Sequence, residues 1–391
     1  MTTGAGVDAM PLAGTCDSGF ARVAEAFAEN FAVRDEIGAA VAVYVDGEIA
    51  VDLWGGRVVR DQKPAEPWGR DTIVRMMSIN KAVTAICAHR LADHGLLDYE
   101  RRVADYWPEF AQAGKESITV RTLMAGRAGL VFPDAVPDGA AFDWPAMVDG
   151  LARQAPIWAP GTRGAYHSST YGHLVGELVR RLTGKLPGAY FREEIGEPLG
   201  LDYWFALPRA EQHRLSEILP NPDSATYAAL SGGGAGNNLA RAWRILPGAN
   251  PLMRDHPDYL GKEMPSAFGR GTARAMAKLF AALARGGDID GVRVLSPQAI
   301  DAMTTLQWDA PCALTGRRFR YCLGVYKNTP GLRPMGRNPD AFGHMGVGGS
   351  FVFADPERRL SFSYCTNFMC AGDGIGERCT ALVEAVDASG R

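Results

Sequence analysis

An α+β fold is predicted: one antiparallel sheet built from N- and C-terminal strands, flanked by helices, with a mostly helical domain inserted between the two halves. Three observations predict it. Strand-like segments occur near the N-terminus and in the C-terminal quarter only. Between them, helix-period segments alternate with Gly/Pro-rich loops. Two N-terminal strands alone cannot hold a stable sheet, so they need the C-terminal ones. The expected division is residues 1–77 plus 288–391 for the sheet domain and 78–287 for the helical domain, with the active site in the cleft between them.

The elements follow in order. "FARVAEAFAENFAV" (20–33) has helical period. "GAAVAVYVDGEIAVDLWGG" (38–56) reads as two strands around an Asp46-Gly47 turn. Residues 78–96 form a long buried helix that Gly95 caps. Helices are also expected over 169–184, over 271–287 with Thr272 as its cap and Gly286-Gly287 as its end, and over 296–306. Strands are expected over 320–327, 348–356 and 359–367, the last two joined by a turn at Asp355-Pro356.

Composition narrows the function. The chain has 391 residues, 47% apolar and 22% charged, with a net charge of −3. That is an ordinary globular composition, and the net charge implies no basic stripe for nucleic acid. No apolar run is long enough for a membrane span, and the first twenty residues lack the basic and apolar regions of a leader. Seven cysteines, an odd count without ligand spacing, read as reduced thiols of a cytoplasmic protein. Seven lysines against 34 arginines, with abundant Ala and Gly, suggest a GC-rich bacterial genome. G-x-S-x-G, H-E-x-x-H, Walker A and G-x-G-x-x-G motifs are all absent, as is any metal-ligand cluster. The expectation is no cofactor, no metal, no nucleic acid and no membrane partner.

Three stretches carry chemistry. In "VRMMSINKAV" (74–83), Ser78 precedes Lys81 by three residues at the start of an apolar helix, so both lie on one face. A serine is a weak nucleophile without a base, and a buried lysine loses its proton readily. A capping serine and a snorkelling lysine would give the same pattern. Lys81, however, has the apolar neighbours Ile79, Ala82, Val83, Ala85 and Ile86, and a lysine there needs a partner or a purpose. In "PGTRGAYHSSTYGHLVGELV" (160–179), Tyr166 sits where a loop enters a helix. Beside a lysine ammonium its phenolate would be favoured, making it a candidate base; a core tyrosine is the alternative. In "FGHMGVGGSFVF" (342–353), His344-Met345-Gly346 leads into a strand whose glycines let backbone approach a ligand. A Gly-rich turn with an exposed histidine is the alternative there.

S-x-x-K, then Y-x-S, then H-x-G, in this order, resembles the serine β-lactamase and penicillin-recognising fold. The likeness is to its class C-like branch, which includes family VIII carboxylesterases. It extends over nearly the whole chain: "ITVRTLMAGRAGL" (118–130) is similar to that family's "VTVRHLLSHTAGL", and "SGGGAG" (231–236) and "GRGTARAMAKLFAAL" (269–283) fit as well. The resemblance implies Ser78 as the acylated nucleophile, Lys81 as its proton acceptor and Tyr166 as the base serving leaving group and water. It implies backbone N–H groups of Ser78 and Val347 as the oxyanion hole. His344, Gly346 and Ser168 would contact substrate, His344 replacing the Lys of β-lactamases and Ser168 the Asn that touches the substrate amide. Both replacements argue for esters over penicillins. Asn80 stands where Thr is frequent, and Ala125-Gly126-Arg127 where Ser-His-Thr is frequent; the latter is expected to be structural.

The function expected is a cytoplasmic serine hydrolase working through an acyl-enzyme, a carboxylesterase on small to medium esters. Alternatives on the same machinery are an amidase or D-aminopeptidase, an acyltransferase and a β-lactamase. A catalytically silent binding protein is the alternative outside enzymes. In each enzyme reading the partner is a small-molecule ester or amide.

Overall fold

The computed structural model describes residues 12–232, 237–247, 256–372 and 374–389. Four residues of the "SGGGAG" stretch, 233–236, lie outside the described residues.

A ten-stranded antiparallel sheet organises the chain. Its strands are β1 (Leu12–Cys16), β2 (Gly38–Val45), β3 (Glu48–Arg60), β4 (Lys63–Pro67), β5 (Trp308–Pro311), β6 (Arg318–Tyr321), β7 (Tyr326–Lys327), β8 (Phe342–Met345), β9 (Phe351–Asp355) and β10 (Leu360–Thr366). The order is β1-β3-β2-β10-β9-β8-β7-β6-β5, with β4 on β3. The join between chain ends is β2 against β10, in register from Ala39↔Thr366 to Val45↔Leu360. The β2–β3 turn has φ 53° at Asp46 and 91° at Gly47. Two positive φ values define the turn whose twist matches a hairpin.

Helices cover both faces. The labelled ones are α1 (Ala21–Val33), α2 (Ile79–Asp93), α3 (Tyr171–Thr183), α4 (Ala273–Ala284) and α5 (Gly376–Ala388). Alternation along β2 divides the core. Val41 and Val43 pack with Phe27 of α1 and Leu382 of α5, while Ala42 and Tyr44 join the core that holds α2 and α4. Arg378 of α5 pairs with the buried Glu36 at 2.7 Å, and Thr366 Oγ1 donates to the same carboxylate at 2.7 Å. No helix among the described residues is long and apolar enough to cross a membrane.

Two sequence expectations need correction. Helix α4 was assigned to the helical domain of 78–287, yet it packs on β2, β9 and β10. Residues from 273 onward therefore belong with the sheet. Its period predicts the helix but not which apolar surface covers it. The strand expected over 320–327 is broken between β6 and β7 at Gly324, whose φ is 93°. A Cβ there would lie 2.2 Å from the Ala85 Cβ and 2.6 Å from the Tyr171 hydroxyl. The chain reverses at this point, Tyr321 pairing antiparallel with Tyr326 across the turn, and α2 and α3 lie against it. Gly324→Val should destabilise the fold by roughly 2 to 4 kcal/mol, combining backbone strain with overpacking. The urea midpoint measures this.

A small second sheet escapes the sequence patterns, because two- and three-residue strands carry no period. It joins Ile73–Arg75 to Arg270–Gly271 and Leu215–Ser216, and Arg270–Gly271 to Tyr203–Trp204. It matters for the site: just after it, the Met76 N–H donates to Gly269 O at 2.8 Å, fixing the entry to α2.

Candidate active site

The chain enters α2 through a tight turn. Met77 has φ 51°, an uncommon region for a bulky side chain, and Ser78 follows at φ −67°. Ser78 occupies the N-cap position, but its side chain makes no capping hydrogen bond. The hydroxyl instead lies 3.1 Å from Lys81 Nζ. Lys81 is wholly buried, and its amine also donates to Ser266 O at 2.6 Å. No carboxylate pairs with it among the described residues. Burial alone pushes its pKa well below the ordinary lysine range, so the free amine is favoured.

Tyr166 comes to the same point from the loop before α3. The Ala165 N–H donates to Gly126 O at 2.9 Å, and the Gly161 N–H to Arg127 O at 2.8 Å. Trp308 Nε1 donates to Ala125 O at 2.7 Å. Gly126 has φ 65°, and a Cβ on it would sit 2.6 Å from Ala165 O. The Ala125-Gly126-Arg127 turn thus anchors the tyrosine loop. The Tyr166 ring stacks on Phe319, 5.7 Å between centroids at 19°. Lys81 Nζ is 4.9 Å from the ring centroid. The phenol pKa is pushed well above 10 by burial, and a hydrogen bond with Ser78 only partly opposes this. The expectation of a phenolate beside an ammonium is therefore reversed: burial keeps both groups uncharged.

The third stretch divides. A Cβ on Gly346 would meet Met76 O at 2.4 Å and the Met77 Cβ at 3.1 Å. Glycine lets the end of β8 lie against the Met76-Met77 turn that precedes α2. The Gly346 N–H donates to Ser350 O at 2.7 Å. Among the described residues, the amides of Ser78 and Val347 donate to no protein acceptor. His344 does not contact the cavity as expected of a substrate ligand. It is buried on the α2 side of β8, 6.0 Å from the Tyr166 ring, and its Nδ1 donates to Met345 O at 2.8 Å. Burial pulls its pKa down to about 3, so it is a neutral imidazole and not a stand-in cation.

A cavity of about 310 Å³ opens over Ser78, Tyr166, Ser168 and Val347. Leu230, Leu239, Leu246, Phe268 and Leu314 give it apolar walls. Ser168 Oγ accepts a hydrogen bond from Trp243 Nε1 at 2.8 Å. Sequence reasoning missed Trp243 and Tyr326, both of which line the cavity. Neither falls in a motif, and an aromatic among apolar residues reads as core. Asn80 is buried behind the site, its Oδ1 accepting from the Tyr203 hydroxyl at 2.7 Å. His89 and His167 are core residues: His89 lies against the Tyr99 hydroxyl and Leu323 O, and His167 accepts the Leu130 N–H.

A serine beside an unpaired buried lysine, a tyrosine within hydrogen-bonding reach and two uncommitted amides define the chemistry of a serine hydrolase site. Residues 23–376 match the family described as Beta-lactamase. The chain belongs to that family. It is 36% identical over 362 residues to Esterase/beta-lactamase LipL of Mycobacterium tuberculosis, covering 90% of this chain and 82% of that one. Among solved structures, a family VIII carboxylesterase superposes with a TM-score of 0.87 at 37% identity, covering 96% of this chain and 98% of the other. A penicillin-binding protein homologue from Caulobacter crescentus gives 0.87 at 38% identity, over 97% and 100%.

Proposed function

We propose that this protein is a carboxylesterase that acts on small to medium esters through an acyl-enzyme on Ser78. One observation carries the reading: Ser78 Oγ lies 3.1 Å from a lysine that is wholly buried and has no carboxylate partner among the described residues. Burial favours the free form of such an amine, which can take the serine proton.

The steps follow from these positions. Ser78 Oγ bonds to the ester carbonyl carbon as its proton passes to Lys81. The carbonyl oxygen, now negative, takes the Ser78 and Val347 N–H groups. The C–O bond to the alcohol breaks, Tyr166 gives the leaving alkoxide its phenol proton, and Lys81 returns a proton to Tyr166. Water then attacks the acyl-enzyme by the same path reversed. Burial disfavours charge on Lys81, Tyr166 and His344, and the cations that line the cavity are Arg75, Arg317 and Arg333. The apolar walls suit an alkyl or aryl group. Seven cysteines with no disulfide among the described residues suit a reducing, cytoplasmic setting.

On purified protein, p-nitrophenyl acetate and butyrate should exceed nitrocefin in kcat/KM by on the order of 10²-fold or more. p-Nitroanilides should be poorer than the esters. A higher kcat/KM for nitrocefin would overturn the ester assignment, and a higher value for anilides would replace it with an amidase.

A further inference from the structure

We infer that Tyr326 is a positioning residue that clamps the end of β8 and so sets the Val347 amide against Ser78. The inference rests on the acyl-enzyme reading above. Strand β7 is only two residues long, pairing Tyr326 with Gly343 and Lys327 with Phe342. The ladder on that side of β8 therefore stops short of Met345. The Met345 N–H is taken by the Tyr326 hydroxyl at 2.5 Å. The carbonyl of Met345 is held separately by His344 Nδ1 at 2.8 Å. His344 Nδ1 is also 3.4 Å from the Tyr326 hydroxyl. Both peptide groups flanking the Met345 Cα are thus held by side chains where pairing with β7 has ended, while Met345 still pairs with Phe351 of β9.

The clamp is rigid at its own end. Tyr326 is 1% exposed. Its ring meets Phe319 edge-on, 5.8 Å between centroids at 85°, and the Arg333 guanidinium lies 5.0 Å from its centroid. Downstream, Gly346 is pressed against Met76 O and donates to Ser350 O at 2.7 Å. Between Met345 and Ser350 the chain has little room to shift, and Val347 lies in that span. An oxyanion donor acts only if it is already in place when charge develops, and a displacement under an ångström is costly. Tyr326 also lines the cavity, so a simple wall role is the competing account.

The two accounts differ in what Tyr326→Phe does. This change removes one oxygen and keeps the ring. We expect kcat for p-nitrophenyl butyrate to fall about 10- to 100-fold with KM within about threefold, since the loss concerns the transition state. Affinity for an arylboronic acid, which places a tetrahedral centre on Ser78, should weaken by a similar factor. Gly346→Ala, pushing the same loop away from Met76, should give the same pattern and serves if the first variant does not fold. The inference is overturned if kcat stays within twofold of wild type. It is also overturned if KM rises as much as kcat falls, or if kcat falls while boronate affinity holds. Labelling of wild-type Ser78 by a fluorophosphonate, read by intact mass and peptide mapping, tests the acyl-enzyme reading separately. Were Ser78 unlabelled, both would fall; with Ser78 labelled, the variants decide the role of Tyr326 alone.

Discussion

Ser78→Ala is expected to abolish ester hydrolysis, by on the order of 10³-fold or more, in a protein that remains folded. The size of the effect follows from the absence of a second nucleophile: nothing else in the described cavity has a base 3.1 Å away. The folding expectation follows from the cap. Ser78 holds an N-cap position without making the capping hydrogen bond, so its hydroxyl contributes little to helix α2. Lys81 keeps its hydrogen bond to Ser266 O when the serine oxygen is gone. The thermal midpoint should therefore match wild type, and mass labelling by a fluorophosphonate should disappear. Activity within tenfold of wild type at an unchanged midpoint would sink the assignment of Ser78.

Much of this was legible in the sequence, and the limits have physical causes. The Ser78–Lys81 contact is local, so helical spacing alone foretold it. The pairing of chain ends was legible because two strands cannot stand alone. Protonation was not. Whether Tyr166 is a phenolate depends on how dry the site is, and burial, a tertiary property, agrees with the free amine expected of Lys81 but reverses the expectation for Tyr166. The same holds for His344. Its place in the third motif suggested a ligand for substrate, but the register of β8 turns it towards α2 and away from the cavity. Trp243 and Tyr326 reach the site through side-chain hydrogen bonds, Trp243 to Ser168 and Tyr326 to Met345, which leave no periodic trace. The role of Ala125-Gly126-Arg127 emerges only when residues 161–165 are seen lying against that turn.

The second large effect concerns the proton path. Lys81→Met and Tyr166→Phe should each lower kcat by on the order of 10²- to 10³-fold, and the double variant should be little worse than either. On the proposed path they act as one unit, because a proton accepted by Lys81 would reach the leaving alkoxide only through Tyr166. Lys81→Arg should not restore activity, since a guanidinium cannot give up its proton near neutral pH. The pH profile has a definite sign. As pH falls, Lys81 becomes an ammonium and cannot take the Ser78 proton, so the rate declines on the acid side. Burial places that limb well below the pKa of free lysine, 10.5. Tyr166 must keep its proton to deliver it, and burial holds its pKa well above 10, so no descending limb should appear below about pH 10. The profile is a rise to a plateau, not a bell. Lys81→Met should have a thermal midpoint no lower than wild type, because an unpaired buried amine is replaced by a side chain the site accommodates. Single-turnover acylation and deacylation rates on the four variants, followed across pH, measure all of this. Near-normal acylation and deacylation in Tyr166→Phe would make Tyr166 a packing residue and send the proton out through Lys81 or water alone.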